Sequence, residues 1–364
     1  MVQLAAALLT AFTFATPVDS VATVTPFSAT HGLLNKVQGP SQAAASAKKT
    51  ASKTPVRATR KRAYSASAAR ARRARLATAR ATARARDWSE AQIPRFILDA
   101  LGNEVPDVRA AAAIIYNPET NEVLWESHAQ DQRSIASITK VMTALVFLES
   151  GAELTTPATV QRADVTRAST TYLRAGYQVT AEDLLNLLLI GSDNAAARML
   201  ARISPYGTEG FINQMNHKAI GLGLPSTRYT DPSGLLADNV SSAYDMARLI
   251  AYASADERIG VIMRKASHTV YAGKRTINVN STNQILKSGD IEVMGGKTGF
   301  INRSGYCLAT MLRLPRSGKQ VAVVVLGAQS NAGRFWETRH LFNWLGTQTQ
   351  RLLVAAPLPQ QQQN

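Results

Sequence analysis

The sequence has little cysteine and no long apolar run. Its one cysteine, Cys307, excludes an intramolecular disulfide and a multi-cysteine metal site, and we expect it to be a small packed side chain. The apolar run over residues 4–15 is too short to span a bilayer but resembles the apolar region of a secretory signal. No later run approaches the roughly 18 apolar residues of a membrane-spanning helix. We therefore expect residues 1–25 to be a signal peptide and expect no further span.

Acidic residues are almost missing from the first 86 positions. That part has 15 of the 41 lysines and arginines but only one of the 25 acidic residues, so most of the net charge of +16 lies there. An Ala/Arg-rich segment with few large apolar side chains cannot offset the entropy of ordering. We predict a disordered basic tail over 26–87, either a linker or a tether to an anionic wall or membrane surface. Because Tyr64 is its only aromatic residue after residue 50, we expect no specific nucleic-acid binding.

In the part predicted to be ordered, the spacing of the apolar residues changes along the chain. Two strand-like runs within 110–125 flank a turn and predict a hairpin, and apolar helical patterns follow up to residue 254. One of these helices is expected to end at Gly191, in the left-handed conformation that glycine accepts. From residue 268 the apolar positions alternate as in strands, and an amphipathic helix covers 334–353. This order predicts an α/β (α+β) fold, with an antiparallel sheet flanked by helices and an inserted all-helical lobe.

The stretch Ser134–Lys140 starts a helix that is apolar nearly all round, as expected of a buried helix. We expect Ser134 to cap this helix, which places Ser137 in a first turn whose free N–H groups favour negative charge. Lys140 follows three residues later, so the two side chains share one face. The five histidines are scattered, and none is positioned to serve Ser137. Lys140 is the predicted base, provided that burial lowers the pKa of its ammonium group.

Two more short motifs follow in a fixed order. Ser192-Asp-Asn194 is predicted in a turn between helices, and Lys297-Thr-Gly299 on a strand after two glycines. Each motif alone is weak evidence, since Ser281-Thr-Asn283 also fits the second pattern. All three in order, each in the structural context that its chemistry requires, are strong joint evidence.

With these motifs the chain resembles the penicillin-binding D-alanyl-D-alanine peptidases and the serine β-lactamases. The resemblance covers roughly 93–352, so we assign 88–353 to one catalytic domain and predict a disordered tail over 354–364. Asp-Pro-Ser-Gly-Leu at 231–235 looks like the low-molecular-mass peptidase branch. The resemblance implies a β-lactamase/transpeptidase-like fold, a periplasmic location, peptidoglycan as substrate and covalent binding of β-lactam antibiotics. It implies neither a metal nor a cofactor.

The resemblance also implies the catalytic roles. Ser137 is the nucleophile and Lys140 is its base. Ser192 would pass a proton between Lys140 and the leaving amine. Asn194 would hold Lys140 and the substrate amide.

A second set of residues would bind substrate. Lys297 and Thr298 would orient the substrate carboxylate, and Gly299 would let the backbone approach closely. The oxyanion hole would consist of the backbone N–H groups of Ser137 and Phe300.

Several activities remain open at this stage. Glu182-Asp-Leu-Leu-Asn186 matches the letters of the deacylating glutamate motif of class A β-lactamases, but it precedes Ser192 instead of following it, which disfavours a β-lactamase. The short catalytic part and the stretches 300–302 and 305–308 look more like D,D-endopeptidases, which cut peptide cross-links, than like D,D-carboxypeptidases. A non-catalytic wall-binding or nucleic-acid-binding protein acting through the basic tail would not need all three motifs.

Overall fold

The computed structural model describes residues 56–315 and 317–355. The predicted signal peptide 1–25, the first part of the predicted tail (26–55) and residues 356–364 of the predicted C-terminal tail lie outside them. Contacts divide the chain into two units, of which the second, residues 66–364, contains the sheet and the motifs.

Thirteen strands and ten α-helices occur in the described residues. The strands are β1 Phe96–Leu98, β2 Glu104–Pro106, β3 Ala112–Asn117, β4 Glu122–Ser127, β5 Arg133–Ser134, β6 Pro157–Thr159, β7 Gln178–Thr180, β8 Val240–Ser241, β9 Ser267–Ala272, β10 Arg275–Asn280, β11 Glu292–Ile301, β12 Gly305–Arg313 and β13 Gln320–Ala328. The helices are α1 Val56–Ala91, α2 Thr139–Glu149, α3 Arg162–Val165, α4 Ala181–Ile190, α5 Asn194–Ile203, α6 Gly207–Gly221, α7 Ala243–Ala255, α8 Glu257–Met263, α9 Ile285–Ser288 and α10 Asn331–Ala355. A 3₁₀ turn, Ala136–Ile138, precedes α2.

Five strands form an antiparallel sheet in the order β11-β12-β13-β3-β4. Successive side chains of a strand point to opposite faces, so alternate residues of β13 enter two different cores. Val323 packs in the core beneath α10, and Val324 packs in the core shared with the helical lobe. Both faces of the sheet are therefore covered, which explains the continuous apolar run of β13.

Helices α2 and α4–α8 pack together on one side of the sheet, and α10 packs on the other. This arrangement confirms the predicted fold class, an antiparallel sheet flanked by helices with an inserted helical lobe. β11 lies at an edge of the sheet, so its outward backbone groups have no strand partner. That free edge faces the 3₁₀ turn before α2, and the motifs meet there.

Gly191 ends α4 as predicted, but for a different reason. Its φ is −90°, which is not the left-handed conformation. A Cβ at this position would lie 2.4 Å from Val279 Cγ2, a distance that real Cβ atoms do not show. The residue is a glycine because β10 packs against the helix end.

The predicted disorder over 26–87 does not hold from residue 56 onward, where α1 is helical. Its described side chains between residues 66 and 83 are all exposed, so packing does not stabilise this helix. Alanine and arginine have high intrinsic helix propensity, which the tail prediction weighed too little against the lack of an apolar face. Neither α1 nor any other helix of the described residues has the length and apolarity needed to cross a membrane.

The hairpin β1–β2 is attached to the outer face of α10. His340 Nε2 lies 2.8 Å from Arg95 O, and the rings of Phe96 and His340 meet edge to face at 5.0 Å. The buried Glu337 carboxylate accepts the N–H groups of Arg109 and Ala110 at 2.9 and 3.0 Å. These bonds hold the start of the domain to its last helix.

Candidate active site

Ser137 lies in the 3₁₀ turn just before α2, not within the α-helix. Ser134 does not cap the helix: it pairs in β5, and its buried hydroxyl has no hydrogen-bond partner among the described residues. Ala136 has a φ of +47°, a conformation that non-glycine residues seldom adopt. Strain of this kind is typical of sites whose backbone must hold a reactive group in one position.

The Lys140 ammonium nitrogen has three oxygen neighbours. Nζ lies 2.9 Å from Ser137 Oγ, 2.6 Å from Asn194 Oδ1 and 2.5 Å from the Ser233 carbonyl oxygen. The amide and carbonyl oxygens can only accept hydrogen bonds, whereas the serine hydroxyl can donate one. A neutral amine has two N–H groups and one lone pair. It matches this set when its lone pair faces the Ser137 hydroxyl.

Burial lowers the pKa of Lys140 to about 7. The carboxylates of Asp231 and Asp193 oppose this shift, and the Arg198 guanidinium adds to it. The side chain is fully buried, so the main cause is the loss of water around the charged form. A substantial fraction of Lys140 is therefore neutral near pH 7, as a general base requires.

The Ser233 carbonyl belongs to the turn Asp231–Leu235, for which the sequence indicated only family membership. One carboxylate oxygen of Asp231 accepts the N–H groups of Ser233 and Gly234 at 2.6 and 2.9 Å. Gly234 has a φ of +77°, and a Cβ there would lie 2.0 Å from Ala136 O. The turn is therefore in close contact with Ala136, the residue before the nucleophile, and its Ser233 carbonyl oxygen faces Lys140.

The second motif forms the turn between α4 and α5. Asn194 holds Lys140 through Oδ1, and its Nδ2 donates to Ala168 O at 2.7 Å. Asp193 caps α5 by accepting the N–H of Ala196 at 2.9 Å. Ser192 has a φ of +59°, the second strained non-glycine residue at this site. The predicted contact between Asn194 and Lys140 is present, while the predicted contact with the substrate amide stays a prediction.

The third motif lies on the edge strand β11. Lys297 Nζ donates to Ser192 Oγ at 2.8 Å and to Thr298 O at 2.9 Å, which joins the second and third motifs. Burial lowers the pKa of Lys297 well below its usual value, and the charges of Lys140 and Arg334 add to this. The Thr298 and Thr282 hydroxyls lie 2.6 Å apart.

Gly299 allows β11 to pass next to the nucleophile. A Cβ on Gly299 would lie 2.6 Å from Ile135 O and 3.2 Å from Ser137 N. Its carbonyl accepts Arg334 Nη1 at 2.9 Å. Arg334 is a buried cation without an acidic partner among the described residues, and burial lowers its pKa to about 10.

Phe300 lies at the mouth of the cleft. Its side chain is 45% exposed and stacks on Tyr306 with ring centroids 4.2 Å apart. Ser137, Ser192, Asn194, Thr298, Gly299 and Phe300 all line one open cleft of about 410 Å³. Lys140 and Lys297 lie beneath its surface, fully buried.

The structure thus brings all the residues of the predicted site to one cleft. Sequence reasoning missed the Ser233 carbonyl, Thr282 and Arg334. Thr282 belongs to Ser281-Thr-Asn283, the stretch that also fits the pattern of the second motif, and it lines the cleft beside Thr298. Glu182, which matched the β-lactamase letters, is exposed and does not line the cleft.

The model of the D-alanyl-D-alanine carboxypeptidase family matches residues 99–330. The chain belongs to this family. It is 32% identical over 262 residues to a D-alanyl-D-alanine endopeptidase of Escherichia coli, a match that spans 71% of this chain and 84% of the relative. It is also 32% identical to a D-alanyl-D-alanine endopeptidase of Pseudomonas aeruginosa, over 66% of this chain and 78% of the relative.

Solved structures show the same fold. The DD-transpeptidase of Streptomyces K15 superposes with a TM-score of 0.62 at 28% identity, over 66% of this chain and 97% of that one. A D-alanyl-D-alanine carboxypeptidase of Mycobacterium tuberculosis gives a TM-score of 0.63 at 26% identity, over 69% and 96%. The resemblance seen in the motifs is confirmed, and with it the prediction of a penicillin-binding serine D,D-peptidase.

Proposed function

We propose that this protein hydrolyses D-alanyl peptide bonds in peptidoglycan cross-links through an acyl-serine intermediate. The observation that supports the chemistry best is the environment of Lys140 Nζ, which has two carbonyl-type acceptors and the Ser137 hydroxyl. This set of partners accommodates the neutral amine, which the lowered pKa of Lys140 makes available, with its lone pair directed at the nucleophile.

Acylation begins when Ser137 Oγ attacks the D-alanyl carbonyl carbon and gives its proton to Lys140 Nζ. The negative charge that develops on the carbonyl oxygen would be stabilised by the backbone N–H groups of Ser137 and Phe300. When the C–N bond breaks, the leaving amine needs a proton. The Ser192 hydroxyl can supply it, because its oxygen already accepts Lys297 and its own proton is free to be donated. Lys140, protonated in the first step, would then restore that proton. In the described residues Lys140 Nζ contacts Ser137, Asn194 and Ser233, so the proton transfer to Ser192 stays a prediction.

Deacylation repeats the sequence with water. Lys140 takes a proton from the water that attacks the ester carbonyl, and Ser137 Oγ leaves and is reprotonated. The cleft is open to solvent, so water can reach the acyl group.

The leaving group would enter beside Lys297 and Arg334, two buried basic side chains without an acidic partner among the described residues. An amino acid released from a cross-link and a terminal D-alanine both have a carboxylate next to the scissile amide. Either carboxylate would satisfy the positive charge here, with Thr298 as a further hydrogen-bond donor.

Similarity to relatives favours endopeptidase activity over carboxypeptidase activity. The endopeptidase relatives match at 32–33% identity over 78–84% of their length. The carboxypeptidases of Bacillus subtilis and Escherichia coli match at 27–31% identity over 58–63% of theirs. Carboxypeptidase activity, which trims pentapeptide to tetrapeptide, is the second candidate.

Covalent labelling by a fluorescent penicillin tests the mechanism. The wild type should label on serine, and Ser137→Ala should not label at all. Ser134→Ala is the matched control, because that hydroxyl is buried three residues earlier and has no hydrogen-bond partner in the part of the chain that the structure describes. Equal labelling of wild type and Ser137→Ala would refute the acyl-serine mechanism.

Digestion of purified peptidoglycan, followed by mass analysis, tests the substrate. Loss of cross-linked dimers supports the endopeptidase. Trimming of pentapeptides with intact dimers would replace it with the carboxypeptidase. Fast turnover of penicillin without accumulated acyl-enzyme would indicate a β-lactamase.

We also propose that the protein acts in the periplasm, where peptidoglycan lies. The support is the signal-like run over 4–15 and the nature of the substrate. Fractionation of cells that express the full chain should recover penicillin-labelled protein outside the cytoplasm. Its retention in the cytoplasm would contradict this.

A further inference from the structure

The hairpin β1–β2 exposes an unusual number of apolar side chains. The described residues include fifteen large hydrophobic side chains that are exposed, and five of them lie within nine positions of each other. These five form the apolar tip: Ile93, Phe96, Ile97, Leu98 and Leu101. Leu101 is 86% exposed, the highest value of the fifteen. Contiguous exposed apolar residues on a soluble domain usually mark a contact surface.

The fold of the hairpin does not require apolar side chains at Leu98 and Leu101. Asp99 Oδ1 accepts the N–H groups of Leu101 and Asn103 at 2.9 and 2.8 Å, and the positive φ of the turn falls on Gly102. A polar residue at position 101 would fit the same backbone. The turn therefore holds Leu98 and Leu101 out into water in a fixed shape, and folding does not explain their apolar character.

The chain next to this hairpin is strongly basic. Residues 66–91 of α1 include seven basic and two acidic residues, and the helix ends only five residues before Phe96. Its side chains from residue 66 to 83 are exposed. Because it has no apolar face, α1 can supply positive charge to a surface but cannot insert into one.

We propose that the apolar tip and residues 66–91 of α1 together form a docking surface for an anionic lipid bilayer. The tip would bury its leucines at the boundary between headgroups and acyl chains, while the arginines of α1 lie against the anionic headgroups. Charge complementarity favours this partner, since a second copy of the chain would bring another basic α1 to the same place and repel it. Each element alone binds weakly, and stable peripheral binding generally requires two such signals.

Vesicle sedimentation with the full chain from residue 26 tests the proposal. We expect binding to vesicles of phosphatidylglycerol mixed with phosphatidylcholine and little binding to phosphatidylcholine alone. High salt should release the protein. The double variant Leu98→Asn/Leu101→Asn should reduce binding by about tenfold, since two leucines no longer enter the bilayer. Ile220→Asn is the control: this residue is 77% exposed on α6 and should leave binding unchanged.

A second variant tests the charge. Arg70→Gln/Arg72→Gln/Arg73→Gln/Arg75→Gln should also reduce binding by at least tenfold. Penicillin labelling should be normal in every variant, which shows that the catalytic domain is folded.

Three outcomes would overturn the proposal. Unchanged vesicle binding of the leucine variant would mean that the hairpin is not involved. Unchanged binding of the arginine variant would exclude α1. A dimer in sedimentation analysis that the leucine variant dissociates would show that a second copy covers the hairpin instead.

Discussion

Lys140 and Lys297 are both fully buried, yet their surroundings differ. The acceptors around Lys140 Nζ are two carbonyl-type oxygens, and the nearby carboxylates of Asp231 and Asp193 partly offset the effect of burial on its pKa. Lys297 has no carboxylate partner among the described residues, and the two basic side chains that add to the effect of burial on its pKa are Lys140 and Arg334. The difference teaches how one site uses two lysines. Lys140 has a pKa of about 7, which suits a base. The pKa of Lys297 is lowered well below its usual value, and the carboxylate of a bound substrate beside it would favour its charged form.

The largest expected effect comes from removing the base. Lys140→Arg keeps the charge but cannot accept a proton at neutral pH, so acylation by penicillin should fall by about 10²–10⁴-fold. The measurement is the second-order labelling rate. Lys265→Arg is the matched control, since Lys265 also donates to an asparagine oxygen, Asn186 Oδ1, at 2.9 Å. A wild-type rate in Lys140→Arg would remove Lys140 from the mechanism.

The next largest effect is expected from a change in the turn Asp231–Leu235, whose Ser233 carbonyl oxygen contacts Lys140. Gly234→Ala adds a Cβ that would lie 2.0 Å from Ala136 O at a φ of +77°. We expect it to lower the free energy of unfolding by about 2–4 kcal/mol and to reduce labelling. Gly273→Ala has a φ of +61° but nothing within 4 Å, so it should cost only the backbone strain, about 1–2 kcal/mol. The free energy of unfolding is measured by thermal or denaturant unfolding. Equal losses in the two variants would show that the close approach of Gly234 to Ala136 does not contribute.

Lys297→Gln separates binding from base catalysis. We expect kcat/KM for a substrate with a free leaving-group carboxylate to fall about ten- to a hundredfold, since a hydrogen bond to a charged group is worth about 1.5–3 kcal/mol. The comparison substrate has that carboxylate converted to a carboxamide. On the carboxamide substrate, wild type and variant should have similar kcat/KM values. If the variant lost as much activity on the carboxamide, Lys297 would serve the chemistry instead of the carboxylate.

The smallest effect is a shift of the pH profile. Because the pKa of Lys140 is lowered to about 7, its neutral form is lost as the pH falls, and acylation at pH 6 should be about tenfold below the plateau at high pH. Arg198 helps to lower that pKa, so Arg198→Gln should raise it and move the rising limb to higher pH. Arg258→Gln, a surface change, should leave the limb in place. A flat profile from pH 6 to 8 would contradict the assignment.

Local periodicity explains which parts of the site could be predicted. Ser137 and Lys140 are three residues apart, so helical geometry brings them together whatever the rest of the chain does. The Ser233 carbonyl is 93 positions from Lys140, and no local pattern relates them. The same is true of Arg334, whose contact with Gly299 depends on where α10 packs against the sheet.

The wrong predictions have physical causes too. Ser134 was expected as a cap because serine before an apolar helix usually is one, but pairing with β8 takes it into a strand instead. Disorder was expected for 26–87 because the segment cannot form a core, yet from residue 56 onward the chain is helical, as the helix propensity of alanine and arginine favours. For Ser134, strand pairing outweighed the preference of serine for helix caps. For α1, intrinsic helix propensity outweighed the lack of an apolar face.

The sequence by itself determined the family, the fold class, the three motifs and the serine–lysine chemistry. The fold class follows from the periodicity of the apolar residues, whereas the family and the catalytic roles follow from the resemblance that the three short motifs carry. Only the tertiary structure decided the lowered pKa values of Lys140 and Lys297, the lack of an acidic partner for Lys297 among the described residues and the exposure of the apolar tip. Burial, distance and dielectric environment control these properties, and they depend on which distant parts of the chain pack around each group.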